Sequence, residues 1–209
     1  MSAAPTTFTR IHRWPVRIGI CIWLLLLLGS GVVLWHYSTA PGASGSAVTR
    51  LPDAESRGHS DGRLVMFLHP HCSCSRSSVR TLNIALQSVD ADVAVDLYFY
   101  TPDETADNWH HTALWKLAEA IPGVRCRVDV DGQAARRFGV ATSGHVLLFG
   151  PDGRRQYSGG ITSGRGHEGA NDGINSLVTL LRGHQATTCT FPVYGCGILN
   201  TSSLETGTL

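Results

Sequence analysis

The sequence predicts an α/β domain with a central mixed sheet flanked by helices, preceded by one membrane-spanning helix. A long uncharged stretch near the N-terminus predicts the spanning helix, and the rest of the chain alternates strand-like with helix-like segments. Their predicted order is β-α-β-α-β-α-β-β-α, and alternation followed by a hairpin and a last helix is typical of α/β or mixed-sheet folds. The 209 residues are enough for one domain with appendages.

The charge balance and the cysteine content exclude two broad classes of protein. The formal net charge is +1 and only 16% of residues are charged, so the chain lacks the basic footprint of a nucleic-acid-binding protein. Six cysteines are more than average for this length but too few for a small disulfide scaffold. No nucleic-acid partner is therefore expected.

Residues 18–37 are predicted to form a transmembrane anchor, because residues 18–35 are apolar, uncharged and long enough to cross a bilayer. Aromatic residues typical of membrane interfaces bracket the stretch, namely Trp14, Trp35 and Tyr37. Three arginines precede it, whereas the next arginine after it is Arg50. The positive-inside rule then places residues 1–17 in the cytoplasm and the rest of a single-pass inner-membrane protein in the periplasm or another extracytoplasmic space.

A cleaved signal peptide is the alternative interpretation, since Ser38 and Ala40 are small residues at a plausible cleavage spacing. The apolar run is long for a signal peptide, which favours an uncleaved anchor. Residues 38–62 are rich in Ser, Ala, Gly and Pro without periodicity and are predicted to be a flexible linker. Export implies an oxidising compartment, in which pairs of cysteines form disulfides.

The chemistry is predicted to lie in residues 64–79, where a buried strand meets the N-terminus of a helix. The apolar strand is ended by Pro70, and Ser73 and Ser75 are candidate N-cap residues of the helix that follows. Two cysteines and two histidines lie at this junction, Cys72, Cys74, His69 and His71. Because the N-terminus of a helix favours negative charge, a thiolate is expected there.

Hydrophobic patterns predict the remaining elements of a domain that spans residues 63–183. The predicted strands are 93–100, 124–131, 145–149 and 155–158, and the predicted helices are 107–121, 133–138 and 173–181. Asp107 is expected to cap its helix, which would carry Trp109 on its apolar side and His110 and His111 facing solvent. Strict alternation in 124–131 predicts a half-buried strand with Cys126 as a buried structural thiol.

These elements resemble a thioredoxin-like domain, in the version tethered by an N-terminal membrane helix and extended by an extra strand–helix unit. The resemblance is carried by Val-Met-Phe-Leu-His-Pro-His-Cys at 65–72, Val-Asp-Val-Asp at 128–131, Phe-Gly-Val at 138–140, Val-Leu-Leu-Phe at 146–149, and the hairpin from 152 to 160. Within that superfamily the chain is most similar to RedB-type proteins. The resemblance implies a thiol–disulfide oxidoreductase without a cofactor, acting on exported protein thiols or with a membrane redox partner.

The motif departs from the family's Cys-x-x-Cys pattern. Aligned on Cys72, the second family cysteine falls on Ser75, and Cys74 comes one position early. Where the family places a cis-proline that helps to dock the substrate backbone, this chain has Gly144 followed by His145. Cys72 is expected to attack and Cys74 to resolve, through a small strained ring that would make the disulfide oxidising.

The resemblance also assigns residues that line the site around the two cysteines, namely His71, Ser75, Gly144, His145 and His167. His167 belongs to the glycine-rich loop 163–169, whose Arg165 and Glu168 are expected to border the site as well. This loop formally matches G-x-G-x-x-G before a helix with an N-cap at Asn171. Dinucleotide binding is not expected, because the loop follows a hairpin and no further strand comes after it.

Metal handling is the alternative function. His69, His71, Cys72 and Cys74 combine imidazoles and thiolates that suit Cu(I) or Zn, so a copper-binding protein or metallochaperone is the second hypothesis. Thioredoxin-like copper chaperones carry paired cysteines and a distant histidine, for which His145 or His167 would be the counterpart. No spacing typical of an iron–sulfur cluster is present in the sequence. A non-catalytic interaction module is the third hypothesis.

Two further cysteines lie in the C-terminal tail, residues 184–209. Cys189 and Cys196 are separated by six residues including a proline, so a structural disulfide that closes a small loop is expected. The alternative is a redox pair that passes electrons to Cys72 and Cys74. Beyond Asn200 the Ser/Thr-rich tail is predicted to be disordered.

Overall fold

The structure of the chain is a computed structural model, which describes residues 13–43, 45–52, 62–90, 93–103 and 108–199. It divides into two compact units, Met1–Tyr37 and Ser38–Leu209. Four predictions lie outside the described residues: the cytoplasmic segment up to residue 12, the linker from 53 to 61, the cap at Asp107, and the disordered tail from Asn200.

The first unit contains most of helix α1, Arg13–Thr39. Its segment Trp14–Thr39 is long and apolar enough to cross a membrane, judged by length and composition. Apolar side chains cover the helix on all sides, and the large ones are 43% to 71% exposed. A helix that is apolar all round has no soluble face, which agrees with the predicted anchor over residues 18–37.

The second unit is built on one five-stranded mixed sheet, as predicted. Its strands are β1 Arg63–Leu68, β2 Ala94–Thr101, β3 Val124–Val130, β4 His145–Phe149 and β5 Arg155–Gly159. The spatial order is β3-β2-β1-β4-β5. β1, β2 and β3 run parallel, β4 runs antiparallel to β1, and β5 runs antiparallel to β4. Because β1 is central and covered on both faces, all six of its residues are buried.

The helices cover both faces of the sheet and follow the predicted order. They are α2 Ser73–Gln87, α3 Ala113–Glu119, α4 Gln133–Phe138 and α5 Asp172–Leu181. One apolar cluster joins alternate strand residues to α2, α3 and α5. A second cluster, on the other face, contains α4 and the tail residues Ile198 and Leu199. The predicted N-cap of α5 is confirmed, because the Asn171 side chain accepts a hydrogen bond from the backbone of Ile174.

Two helix starts differ from the prediction. Helix α3 begins at Ala113, later than expected, and the Thr112 side chain caps it by accepting from the Trp115 N–H at 3.3 Å. Trp109 therefore precedes this helix. In α2 the N-cap position belongs to Cys72, not to Ser73 or Ser75, because the Cys72 N–H closes a tight turn onto the His69 carbonyl at 3.0 Å.

Strand β3 alternates as predicted only in its first half. Val128 and Val130 are 40% and 38% exposed, whereas Asp129 is buried. β3 is an edge strand, and the Asp129 carboxylate accepts hydrogen bonds from Ala134 and Ala135 at 2.6 and 3.0 Å, at the start of α4. Cys126 is half-buried against the first apolar cluster rather than fully buried, and burial raises the pKa of its thiol to about 12.

The predicted flexible linker differs from the structure over residues 40–43 and 45–52, here called the strap. Its backbone N–H groups at Gly42, Val48 and Leu51 donate to carbonyls of the folded domain at 2.8, 3.1 and 2.8 Å. Ala47, Val48 and Leu51 pack against the second apolar cluster. The strap pairs with loops and with the start of β5, where the Arg155 N–H donates to the Thr49 carbonyl at 2.9 Å. This irregular pairing leaves no strand or helix periodicity in the sequence.

Candidate functional site

The candidate site lies where β1 ends and α2 begins, as predicted. Four residues separate the end of the strand from the helix, and the turn formed by the Cys72 N–H and the His69 carbonyl places Cys72 at the helix N-cap. The Cys72 side chain is 5% exposed. The start of a helix offers unpaired N–H groups and the positive end of the helix dipole, both of which favour a thiolate.

A residue from the C-terminal tail completes this site. The Cys72 and Cys196 sulfur atoms lie 2.8 Å apart. This separation is longer than a disulfide bond of about 2.05 Å and shorter than an ordinary contact between two sulfurs. The tail is held in place because the Ser143 N–H donates to the Cys196 carbonyl and the Ile198 N–H donates to the Ala141 carbonyl, both at 2.8 Å.

The predicted disulfide between Cys189 and Cys196 is not formed. Both are free thiols, and the Cys189 sulfur instead contacts the Ala186 carbonyl at 3.6 Å. The backbone separates them, because the Cys189 carbonyl accepts from Ser158 on β5 while Cys196 is paired with Ser143 beside Cys72. Cys189 also lines a cavity of about 820 Å³, to which none of Cys72, Cys74 and Cys196 contributes.

Ser75 and Ser143 form a buried polar bridge beside Cys72. Their hydroxyl oxygens are 2.6 Å apart, and the His69 N–H donates to the Ser143 hydroxyl at 2.8 Å. Ser75 is three residues beyond the N-cap, which puts it on the same side of α2 as Cys72. The predicted placement of Ser75 at the site therefore agrees with its position, whereas Ser143 was missed.

The three neighbouring thiols differ in acidity. Burial alone would raise the pKa of Cys72, but hydrogen bonds from Cys196 and Ser75 outweigh it and hold that pKa below its ordinary value. Burial and the adjacent Cys72 raise the pKa of Cys196 to about 12. Burial and the charge of Cys72 also raise the pKa of Cys74. The arrangement therefore favours a thiolate at Cys72 with a protonated Cys196 donating to it.

The glycine-rich loop contributes one residue to this cluster. The Arg165 guanidinium donates to the carbonyl of Gly195, and its charge opposes the raised pKa of both Cys74 and Cys196. The other two predicted loop residues point elsewhere. The His167 ring is exposed and contacts the Arg165 carbonyl at 3.1 Å, and Glu168 pairs with the exposed Arg80 at 3.2 Å.

The two histidines of the motif join an aromatic group rather than the sulfurs. The centroid of the His71 ring lies 4.5 Å from that of Trp109, and the His71 Nε2 atom lies 3.2 Å from the Trp109 carbonyl oxygen. The His69 ring stacks on the Tyr100 ring, with 5.8 Å between centroids. Burial and then the neighbouring His71 lower the pKa of His69. Within the described ranges, no group of three or more His, Cys, Asp or Glu side chains is arranged to hold a metal ion.

Gly144 lies in the loop that faces the motif, but His145 points away from it. Gly144 has a φ of +89° and its N–H donates to the Phe67 carbonyl at 2.7 Å. A side chain there would be strained. The His145 ring is buried and lies 2.9 Å from the Ser158 hydroxyl. Alternation along β4 puts it on the same face as Leu147 and Phe149, opposite α2.

Comparisons with known proteins define the fold. No protein-family model and no curated protein sequence matches the chain. A hypothetical protein from Sinorhizobium meliloti 1021 is 18% identical, with 77% of this chain and 94% of that chain covered and a TM-score of 0.53. An uncharacterized conserved protein from Geobacillus kaustophilus is 19% identical, with 78% and 93% covered and a TM-score of 0.51.

A further match is the thioredoxin domain of a thiol-disulfide oxidoreductase from Bacteroides vulgatus, at 16% identity, 69% and 99% coverage and a TM-score of 0.40. The first two matches share the architecture of this chain and show the fold alone. The five-stranded mixed sheet flanked by helices is consistent with the predicted thioredoxin-like class.

Replacing Ser75 by Ala is expected to raise the pKa of Cys72, because a hydrogen bond to the thiolate is lost. Thiolate formation, followed by ultraviolet absorbance during a pH titration, should then occur at higher pH than in the native chain. Loss of the buried bond to Ser143 should also cost about 1–2 kcal/mol of stability. Ser73→Ala is the matched control, because Ser73 is exposed and contacts Cys74 instead. An unchanged Cys72 titration in Ser75→Ala would contradict this account.

His145 is expected to make the domain less stable in mild acid. Burial, reinforced by the charge of Arg155, lowers its pKa to about 4, against about 6.5 in an unfolded chain. The unfolded chain therefore takes up this proton first, so stability should fall as the pH decreases from about 6.5 to about 4, by roughly 3 kcal/mol. Urea unfolding across this range should show the loss in the native chain and a smaller loss in His145→Asn, in which His69 still has a lowered pKa. His184→Asn, which changes an exposed histidine, should lose stability in acid as much as the native chain does.

Proposed function

We propose that this chain is a membrane-anchored, exported thiol–disulfide oxidoreductase of the thioredoxin-like class, with Cys72 as the nucleophile. One observation carries the proposal: a buried cysteine with a lowered pKa occupies the N-cap position of a helix and touches a second sulfur at 2.8 Å. A thiolate is the nucleophile in thiol–disulfide exchange, and a second thiol close by is needed to release the mixed disulfide.

The surroundings of Cys72 support exchange chemistry rather than a passive role. A buried structural cysteine would be expected to have a raised pKa, as Cys126 does. Cys72 is more deeply buried than Cys126, yet the hydroxyl of Ser75 and the thiol of Cys196 stabilise its charged form. The predicted partners, exported protein thiols or a membrane redox protein, and the finer RedB-like type belong to this proposal, and the chemistry requires no cofactor.

Copper handling has less support as a second function. The predicted ligands do not converge, since the rings of His69 and His71 pack on Tyr100 and Trp109. A soft-metal site would need several deprotonated sulfurs or imidazoles around one point. In the part of the chain that the structure describes, no such cluster of three occurs. The third hypothesis, a non-catalytic interaction module, gives no reason for the lowered pKa of Cys72.

The anchor and its orientation complete the proposal. Helix α1 would cross the inner membrane once, with the arginine-rich N-terminus in the cytoplasm and the sheet domain in the periplasm or another extracytoplasmic space. Alkaline carbonate should therefore fail to extract the chain from membranes. A phosphatase reporter that is active only after export should be active when it is fused to the C-terminus. Release as a soluble form that begins after Ala40 would contradict the anchor and support a cleaved signal.

Replacing Cys72 by Ser is expected to abolish reduction of a disulfide-bonded peptide, with a loss on the order of a thousandfold or more. Thermal unfolding should stay close to that of the native chain, because Ser nearly preserves the shape of Cys. The full-length chain in detergent, with initial rates followed by thiol release, provides the measurement. Cys126→Ser is the matched control, being a half-buried thiol on the edge strand. Equal rates in Cys72→Ser and the native chain would rule out this nucleophile.

A further inference from the structure

We infer that Cys196, rather than Cys74, is the redox partner of Cys72, so that the C-terminal tail supplies the second sulfur of the active couple. This inference rests on the proposed thiol–disulfide function and names the residue that resolves its mixed disulfide. It differs from the sequence-based prediction, in which Cys72 and Cys74 form a strained ring. Three independent features of the site support it.

The first feature is the geometry of the helix start. Cys72 is the N-cap of α2 and Cys74 is its second residue. The two side chains are close enough to hydrogen-bond, but a disulfide between residues two positions apart would close a small, strained ring. The position that does face Cys72 is three residues on, and it holds Ser75, which has no sulfur. The helix itself therefore offers Cys72 a second sulfur only across a strained ring.

The second feature is how the tail delivers Cys196. Residues 196–198 pair with the loop 141–143 through a bridge between Thr142 and Gly197 and through the backbone bonds on either side of it. A Cβ atom at Gly195 would collide with the Ser143 carbonyl oxygen. Glycine at this position therefore allows the close approach of the tail to the loop. Buried Ile198 and Leu199 fix the far end of the pairing. The 2.8 Å sulfur contact is thus imposed by ordered backbone.

The third feature is the division of charge between the two sulfurs. Cys196 donates its proton toward Cys72, which favours one thiolate and one thiol in the reduced pair. A nucleophile and a protonated resolving thiol are the two forms that the first step of exchange requires. The Arg165 guanidinium, held on the Gly195 carbonyl, opposes the raised pKa of Cys196 and would favour its thiolate in the second step.

The reaction balances with a substrate disulfide as the oxidant. The Cys72 thiolate attacks one substrate sulfur, a Cys72–substrate disulfide forms, and the other substrate sulfur leaves as a thiolate that takes up a proton. Cys196 then loses its proton to solvent, and its thiolate attacks the Cys72 sulfur. The Cys72–Cys196 disulfide forms and the second substrate thiolate leaves. Two electrons pass from the pair to the substrate, and the reverse sequence oxidises a substrate dithiol.

This arrangement also controls access to the nucleophile. Cys72 is 5% exposed beneath the Cys196 segment, so a substrate disulfide reaches it only when that segment moves aside. The return of the segment brings the resolving thiol back to the mixed disulfide. Cys74, which is more exposed, stays reduced throughout this cycle.

Disulfide mapping of the native full-length chain in detergent tests the inference directly. The chain is oxidised with a small excess of oxidised glutathione, blocked with an alkylating reagent, and digested with trypsin and chymotrypsin before mass spectrometry. Cleavage after Arg63 and Arg76 leaves Cys72 and Cys74 on one peptide, and cleavage after Tyr194 separates Cys196 from Cys189. We expect a cross-link from the peptide that carries Cys72 and Cys74 to the Cys196 peptide, which persists in Cys74→Ser and disappears in Cys72→Ser and in Cys196→Ser.

The outcomes separate this inference from the proposed function. A peptide that carries Cys72 and Cys74, has lost two hydrogens and bears no cross-link would show a Cys72–Cys74 disulfide, overturning the inference while leaving the oxidoreductase intact. A cross-link that survives in Cys72→Ser but not in Cys74→Ser would overturn it as well. No reversible disulfide at any of the three cysteines would overturn the proposed function itself. Cys189→Ser is the matched tail control, and it should keep the native cross-link.

Discussion

Ser143 holds the candidate site together. Its N–H fixes the carbonyl of Cys196, and its hydroxyl receives the N–H of His69 and bonds to Ser75. The neighbouring Thr142 donates to Ala43 of the strap at 2.9 Å. One short loop therefore joins the motif, the C-terminal tail and the segment that follows α1. Buried polar networks of this kind are costly to leave half-satisfied, so the three segments are expected to keep their arrangement together.

Most of the sheet domain follows from local patterns in the sequence. The apolar run before Pro70, the Pro-Asp-Gly turn at 151–153 and the periodicity around Leu177 each predict an element that the structure contains. The failures have physical causes. Asp129 reads as a solvent-facing residue of an alternating strand, but it is buried because it accepts the first N–H groups of α4. The strap was predicted to be a flexible linker because its irregular backbone pairing, with loops and with the start of β5, has no period.

The site was only half predictable, because local patterns reveal residues that are close in the sequence and not those that the fold brings together. Cys72, Cys74, Ser75 and the histidines occupy one contiguous motif, whose position before a helix indicates a reactive thiol. Cys196 is 124 positions away, and nothing local connects it to Cys72. The available signals were a second cysteine pair in the tail and the serine at position 75, where the thioredoxin-like motif that the sequence resembles has its second cysteine. A serine at the position of the expected second cysteine is a reason to look for a thiol elsewhere in the chain. Spacing alone, however, pairs Cys196 with the nearby Cys189 rather than with Cys72.

The most direct test of the account is a redox titration of the full-length chain in detergent, with its metal content assayed on the same sample. The chain would be equilibrated in glutathione buffers of increasing oxidised fraction, and the thiol state of Cys72 read by trapping and mass spectrometry. The account predicts a reversible two-electron transition that Cys72→Ser removes, without stoichiometric metal. A Cys72 thiol that stays reduced across the whole series would contradict it. So would copper near one equivalent, with thiols that can be trapped only after chelation.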